Sequence, residues 1–381
     1  MTDVVQLFSG IGVVIDEAIN TEGDLLNGIQ KIVLSIENKH IPLLKFEDLP
    51  DDEAISNFHS IGFLILDWNL SGVRPIPQAT INDNIVFLKK LKKICFIPIF
   101  IFSDEDSRSI EVALSENGIT TQNTPLFIKK KDELDTVEKL FGEIEAWIKK
   151  TPSVYVLKKW EKTTREAKTS MISDLSSVHP SWPAVLAESI QDDGGDWNWE
   201  LSNSLQNNLS YRIEYTEYDN EIVRVKQEGI TKDEIRRILE CERFIPNNKL
   251  PDYPFAGDIY LTDSNYYINI RPDCDIIREK KDLYLLKGTV VDESRINTGA
   301  DDEIVFSQGG FHEKINNCYV AFVDGKILCF SLRKLYIKKW NEIKESRCGR
   351  LLPPYITKIQ QKYSSYIQRQ GLPSIPNQAI K

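Results

Sequence analysis

The chain of 381 residues has only four histidines, none in an HxxxH pair or beside a cysteine, so a metal shell built on imidazole is not expected. Its six cysteines (Cys95, Cys241, Cys274, Cys318, Cys329, Cys348) are widely spaced and form no CxxC pair. That excludes a zinc ribbon and argues against a disulfide framework. Most lie in apolar settings such as "KKICFIPIF" and "GKILCFSL", where a free thiol behaves as a small hydrophobe. No run approaches the about 18 apolar residues of a membrane span. The opening "MTDVVQLFSGIGVVIDEAIN" lacks a basic n-region and a small-residue cleavage site, which makes the cytoplasm the expected location. Positive charge is also scarce. Lys and Arg number 47 against 57 Asp and Glu, a net charge of −10, so the chain as a whole repels nucleic acid.

What remains is the composition of an ordinary soluble globular protein, 41% hydrophobic and 27% charged, with room for two or three domains. Residues 1–150 alternate short apolar runs with helical patterns, the signature of a parallel α/β sheet. The runs are "IGVVI" (11–15), "IPLLKF" (41–46), "IGFLIL" (61–66), "IPIFIF" (97–102) and "TPLFI" (124–128). Helices are expected near 22–37, 51–58, 81–93, 106–117 and 132–150. The last places Leu134, Val137, Leu140, Phe141, Ile144 and Ile148 on one face, with Asp132 or Asp135 as its cap. Five strands alternating with five helices predict a flavodoxin-like doubly wound unit.

Such a sheet presents its functional groups at the carboxyl ends of the strands. Asp16 and Glu17 follow the first run and Asp67 the third; Ser103 follows the fourth, and Lys129 and Lys130 the fifth. Any one of these alone is more often a cap or a solvated strand end. Four strand ends agreeing is much harder to produce by chance.

The order of these residues across about residues 9–150 resembles the receiver domain of two-component response regulators. That resemblance implies a sheet of order 2-1-3-4-5 and a bound Mg²⁺ held by Asp16, Glu17, Asp67 and the backbone carbonyl of Asn69. Asp67 would accept a phosphoryl group from a phosphohistidine donor, Ser103 would contact the phosphoryl oxygens, and Lys129 or Lys130 would pair with them. The lysine stays ambiguous: Phe127 to Lys130 fits the family spacing, whereas Lys129 directly follows the apolar run. No proline follows either lysine, the second acid is Glu, and "DWNLSGVRP" replaces the usual Met-Pro-Gly turn.

Residues 151–245 read as mainly helical. "SVYVLKKWEKTTREAKTSMISDLSSV" leaves the first domain as a helix, "HPSWPAVLAESI" starts another, "QDDGGDWNWE" opens with turn residues, and "TKDEIRRILECERF" is a short helix capped by Thr231. Residues 246–381 read as a β-rich, barrel-like domain, with "AGDIYLTD", "YYINIRPDCDII", "DLYLLKGTVV" and a hairpin at Asp324-Gly325. "LYIKKWNEIKESRCGR" and "PPYITKIQQKYSSYIQRQG" are expected to close it as helices before a proline-containing tail. Leu335, Ile337, Trp340 and Ile343 set the apolar face of the first. "GDI" leading into a small barrel is similar to growth-inhibiting toxins of the PemK type, which would make Cys274 a nucleophile or Asp273 and Asp275 a metal pair. A capped turn with a packed thiol is the weightier reading, since no histidine stands nearby in sequence to activate the thiol.

The expected function is that of a phosphoacceptor, with self-dephosphorylation at most, rather than a conventional enzyme. A divergent receiver followed by this tail resembles receiver proteins of bacterial anti-phage two-component systems of the Detocs kind. That likeness implies a cytoplasmic histidine kinase partner, a second receiver or effector competing with it, and a role as a phosphate sink. A homodimer is a further expectation; DNA and membrane are not expected partners. The alternatives are a receiver-gated effector whose barrel is a nuclease or a nucleic-acid or protein binder, and a docking scaffold with Asp67 unphosphorylated.

Overall fold

A computed structural model of the chain describes residues 10–23, 25–121, 124–192, 196–224, 229–278, 282–296, 304–306, 309–369 and 379. Contacts divide the chain into two units, 1–180 with 205–226, and 181–204 with 227–381. The segment 151–245, expected as a helical middle region, is therefore shared between them. The turn expected at Asp193, Gly194 and Gly195 and most of the proline-containing tail lie outside the described residues.

The first unit is built on five parallel strands, β1 (Ile11–Ile15), β2 (Leu43–Phe46), β3 (Ile61–Leu66), β4 (Ile99–Ser103) and β5 (Leu126–Lys130), in the order 2-1-3-4-5. Helices α1 (Gly28–Glu37), α2 (Asp52–Ser56), α3 (Gln78–Ile94), α4 (Ser107–Glu116) and α5 (Val137–Lys150) follow the strands in turn. The three central strands β1, β3 and β4 read as unbroken apolar runs because both faces are covered. Successive side chains go to opposite faces. Val14, Phe63, Ile65, Phe100 and Phe102 meet Ile29, Ile32 and Ile36 of α1 and Leu140, Ile144 and Ile148 of α5. Val13, Ile15, Leu64, Leu66 and Ile101 meet Ile85, Leu88 and Leu91 of α3 and Ile110 and Leu114 of α4.

The five strands and five helices expected in residues 1–150 are present, with shifted ends. The cap of α5 is neither Asp132 nor Asp135 but Thr136, which accepts from the Lys139 amide at 3.3 Å; a 3₁₀ turn, Lys131–Leu134, occupies the expected first turn. Helix α6 (Pro152–Val178) then continues on the same unit. Tyr155 joins the first core, and the buried Lys158 ammonium donates to the Gly62 carbonyl at 3.1 Å.

The second unit holds eight strands, β6 (Phe244–Pro246), β7 (Asp258–Thr262), β8 (Asn265–Asn269), β9 (Asp282–Val290), β10 (Phe311–Lys314), β11 (Asn317–Val323), β12 (Lys326–Lys339) and β13 (Arg347–Leu351). They form a curled antiparallel sheet, a half-barrel of order 10-11-12-9-8-7-13-6. Two-residue turns join Val323 to Lys326 and Thr262 to Asn265; their central residues Asp324, Gly325, Asp263 and Ser264 all have positive φ, as type I′ hairpins require. "LYIKK" is not a helix. It extends a strand, Lys326–Lys339, that pairs Leu335 to Lys339 with Leu286 to Asp282. Its apolar residues satisfy a strand period as well as a helical one, and the long partner Asp282–Val290 decides between them. Leu335 and Ile337 consequently face solvent, while Tyr336 packs edge-on to Tyr267. Helical structure there is limited to Trp340–Ile343 and a 3₁₀ turn, Lys344–Ser346, and "RCGRL" is another strand. The final helix, Tyr355–Gln368, buries Tyr355, Ile356 and Ile359 as expected. Among the described residues, no helix is long and apolar enough to cross a membrane.

Candidate metal and phosphoryl site

Asp16 and Asp67 each occupy the first position past a central strand, and the ladder holds their backbones one residue beyond the strand ends. The Asp16 amide donates to the Phe46 carbonyl and the Asp67 amide to the Ile15 carbonyl, both at 2.9 Å. Asp16 is 0% and Asp67 3% exposed. Asp16 Oδ1 accepts from the Ala18 amide at 2.9 Å, and Asp67 Oδ1 from the Asn69 amide at 3.3 Å. Beside them Glu17 completes a cluster with one oxygen from each carboxyl within 4.8 Å of the others, a group that can hold a metal ion.

The cation facing these acids is Lys131, not Lys129 or Lys130. Its ammonium lies 2.7 Å from Asp16 Oδ2 and 2.8 Å from Asp67 Oδ2, with 6% of the side chain exposed. The expectation failed because β5 outlasts its apolar run. Register pairs Phe102 with Lys129 and Ser103 with Lys130, so the first residue past the edge is Lys131. Lys129 instead bridges Glu133 at 3.2 Å and Glu143 at 2.9 Å, and Lys130 ends the strand half-buried. The Lys131 stem runs past Gly28 at the start of α1, where a Cβ would stand 3.1 Å from the lysine Cβ.

Three carboxylates face one ammonium, a surplus of two negative charges when all are ionised. Burial, and then Asp67 and Asp16, push the Glu17 carboxyl up to about 7. Burial raises the Asp16 carboxyl against the opposing pull of Lys131. Burial alone would lower the Lys131 ammonium, but Asp67 and Asp16 outweigh it and hold it above the usual lysine range. Three buried polar atoms of this pocket lack a hydrogen-bond partner: Glu17 Oε2, Ser103 Oγ and Asp16 Oδ2, the last of which has only its ion pair with Lys131. Hard oxygen donors with an excess of negative charge suit a hard divalent cation.

Asn69 is held by its side chain, which donates to the Val73 carbonyl at 3.1 Å and to Glu105 Oε1 at 3.3 Å and accepts from the Ser71 hydroxyl at 2.8 Å. Among the described residues its carbonyl has only a long contact, 3.4 Å, from the Gly72 amide. Sequence reasoning missed a further support. Asn84 of α3, fully buried, donates to the Trp68 carbonyl at 2.7 Å and fixes the backbone just past Asp67. A polar residue on the buried face of α3 was the available signal.

The second cluster singled out in the sequence is differently placed. Asp273, Cys274 and Asp275 open a short helix, Asp273–Arg278, rather than a turn. Asp273 Oδ1 accepts from the Ala256 amide at 2.6 Å. Cys274 is exposed, its sulfur 3.6 Å from Asp275 Oδ1. Compared with protein-family models and with curated proteins, the chain matches none.

Proposed function

We propose that the first unit is a phosphoacceptor receiver in which Asp67 takes a phosphoryl group from a histidine kinase with Mg²⁺ bound at Asp16, Glu17 and Asp67. The observation that carries this reading is the gathering of two buried carboxyls, the half-buried Glu17, one lysine and an unpartnered buried hydroxyl at the carboxyl edge of the sheet. Mg²⁺, when bound, offsets the charge of the carboxyls and of the incoming phosphoryl oxygens. A carboxylate oxygen of Asp67 attacks phosphorus, and an O–P bond forms. The P–N bond of the phosphoimidazole breaks, its electron pair going to the ring nitrogen, which takes a proton from water. Lys131, already beside Asp67, pairs with a phosphoryl oxygen, and the Ser103 hydroxyl donates to another. The Asn69 carbonyl, weakly engaged, would lend a further oxygen to the metal.

In this reading the chain draws phosphoryl groups from a cytoplasmic kinase in competition with a second receiver, as its likeness to anti-phage relay proteins implies. The net charge of −10 supports a protein rather than DNA as its partner. Radiolabelled acetyl phosphate tests the chemistry. Label should be base-labile, dependent on Mg²⁺, absent from Asp67→Asn and retained by Lys129→Ala. Undiminished labelling of Asp67→Asn refutes the proposal.

A further inference from the structure

The edge of the first sheet away from the acids, where β1 and β3 begin, carries a cavity of about 440 Å³. That volume lies within the about 300–1,000 Å³ of small-molecule sites. Strands of five and six residues separate it from the acidic pocket by roughly 15–20 Å. Its lining includes His59 and Ser60 before β3, and Trp160, Thr164, Arg165 and Lys168 from α6.

Four features of this cavity are unspent. Arg165 and Lys168 are exposed and make no ion pair or hydrogen bond among the described residues. The one acid of the lining, Glu161, is already tied to Lys158 at 2.7 Å. The cavity is thus locally cationic in a chain of net charge −10. The Thr164 hydroxyl is buried with no partner, not even the carbonyl one helical turn back that such a hydroxyl commonly takes. Trp160 leaves 52% of its surface exposed. Lys158 ties α6 to the Gly62 carbonyl at this wall, at 3.1 Å.

We propose that this groove binds a nucleoside monophosphate, its base against Trp160, its phosphate on Arg165 and Lys168, and the Thr164 hydroxyl donating to it. An indole face takes a heteroaromatic base, and paired cations take a dianionic phosphate. One nucleotide fits the cavity, whereas a long polyanion would meet the negative field of the chain. The site is independent of phosphoryl chemistry at Asp67.

The test is calorimetric titration of the full chain with AMP, GMP, CMP and UMP, beside ribose 5-phosphate and inorganic phosphate, without divalent cation. At least one mononucleotide should bind with a sub-millimolar constant. Trp160→Ala and the double variant Arg165→Ala/Lys168→Ala should each weaken it about ten-fold or more. Both alter exposed side chains, and an unchanged circular dichroism spectrum and unchanged labelling of Asp67 establish that they fold. Asp67→Asn should bind the mononucleotide normally, which separates failure here from failure of the receiver reading. The proposal is overturned by any of three results: no mononucleotide binding at about 10 mM, binding unaffected by both variants, or ribose 5-phosphate binding as tightly as the mononucleotides.

Discussion

Replacing Lys131 by Met removes the ammonium and keeps most of the stem that runs past Gly28. A charge-assisted hydrogen bond to Asp67 at 2.8 Å and an ion pair to Asp16 at 2.7 Å go. Each is worth about 1.5–3 kcal/mol. Counted instead as two buried carboxylates left without their cation, the loss is about 3–5 kcal/mol. These are two descriptions of one loss, so about 3–5 kcal/mol is expected near pH 8 without divalent cation. In the wild type the ammonium is held above the usual lysine range, so its contribution is constant from about pH 5 to about pH 8. In the variant the carboxyls lose the cation that had opposed their protonation. The folded state then binds more protons than the unfolded chain, and stability falls as pH rises. The deficit should therefore be large near pH 8 and shrink near pH 5, and Mg²⁺ should reduce it. Urea unfolding followed by tryptophan fluorescence reads all three conditions. Lys129→Met breaks only exposed pairs and should cost about 1 kcal/mol or less. A Lys131→Met variant as stable as Lys129→Met, or a deficit unchanged near pH 5, would refute the reasoning.

Three further outcomes follow from the same geometry. Ser103→Ala removes a buried hydroxyl that has no partner, so metal-free stability should hold or rise by about 1 kcal/mol while phosphoryl labelling falls. Paired melting and labelling experiments read this. With Glu17 raised to about 7 by burial and its acidic neighbours, Mg²⁺ must displace a proton. Its affinity should climb about ten-fold per pH unit below about 7 and flatten above, a slope that Glu17→Gln should abolish in calorimetry. In the second unit Gly257 has φ +89°, and a Cβ there would stand 2.1 Å from the Leu351 carbonyl oxygen. That backbone is itself bonded to Gly257 and cannot withdraw, so Gly257→Ala should cost about 3 kcal/mol or more in urea unfolding of that unit.

The parallel sheet was legible because its three central strands are buried on both faces and appear as apolar runs, and the residues just past β1 and β3 turned out to be the facing acids. The lysine was not legible by that rule. The last two positions of β5 are half-buried and carry lysines, so the apolar run ends before the hydrogen-bonded strand does. Counting β5 against β4, whose last residue Ser103 pairs with Lys130, would have pointed one residue further. "LYIKK" failed for another reason. Its local period serves a helix and a strand equally, and the choice rests on pairing with a segment some fifty residues earlier. Thr136 as the cap of α5 was hidden by Asp132 and Asp135, which have the right chemistry but stand within the intervening 3₁₀ turn and directly after it.

Buried charge is handled in opposite ways in the two units, and the contrast separates scaffold from site. Asp258, 0% exposed, meets two guanidiniums: Arg350 Nε at 2.6 Å and Arg347 Nη1 at 3.4 Å, with the Phe255 amide at 3.0 Å. Arg347 is further spent on Asn247 and on the Tyr253 and Pro251 carbonyls, and its plane lies over Trp340 at 4.9 Å. Such a cluster leaves little for a ligand to satisfy. Asp258→Asn should therefore cost about 3–5 kcal/mol, the penalty of a broken buried ion pair, with or without Mg²⁺. The acids of the first unit have the reverse balance, three carboxyls to one ammonium and Glu17 Oε2 without a donor. Removing that surplus charge should not harm the metal-free fold, so Glu17→Gln is expected to leave stability equal or higher and to lose only the Mg²⁺ response. If Mg²⁺ rescued Asp258→Asn, or Glu17→Gln destabilised the metal-free protein as much as Asp258→Asn does, then charge surplus would not distinguish a binding site from a brace.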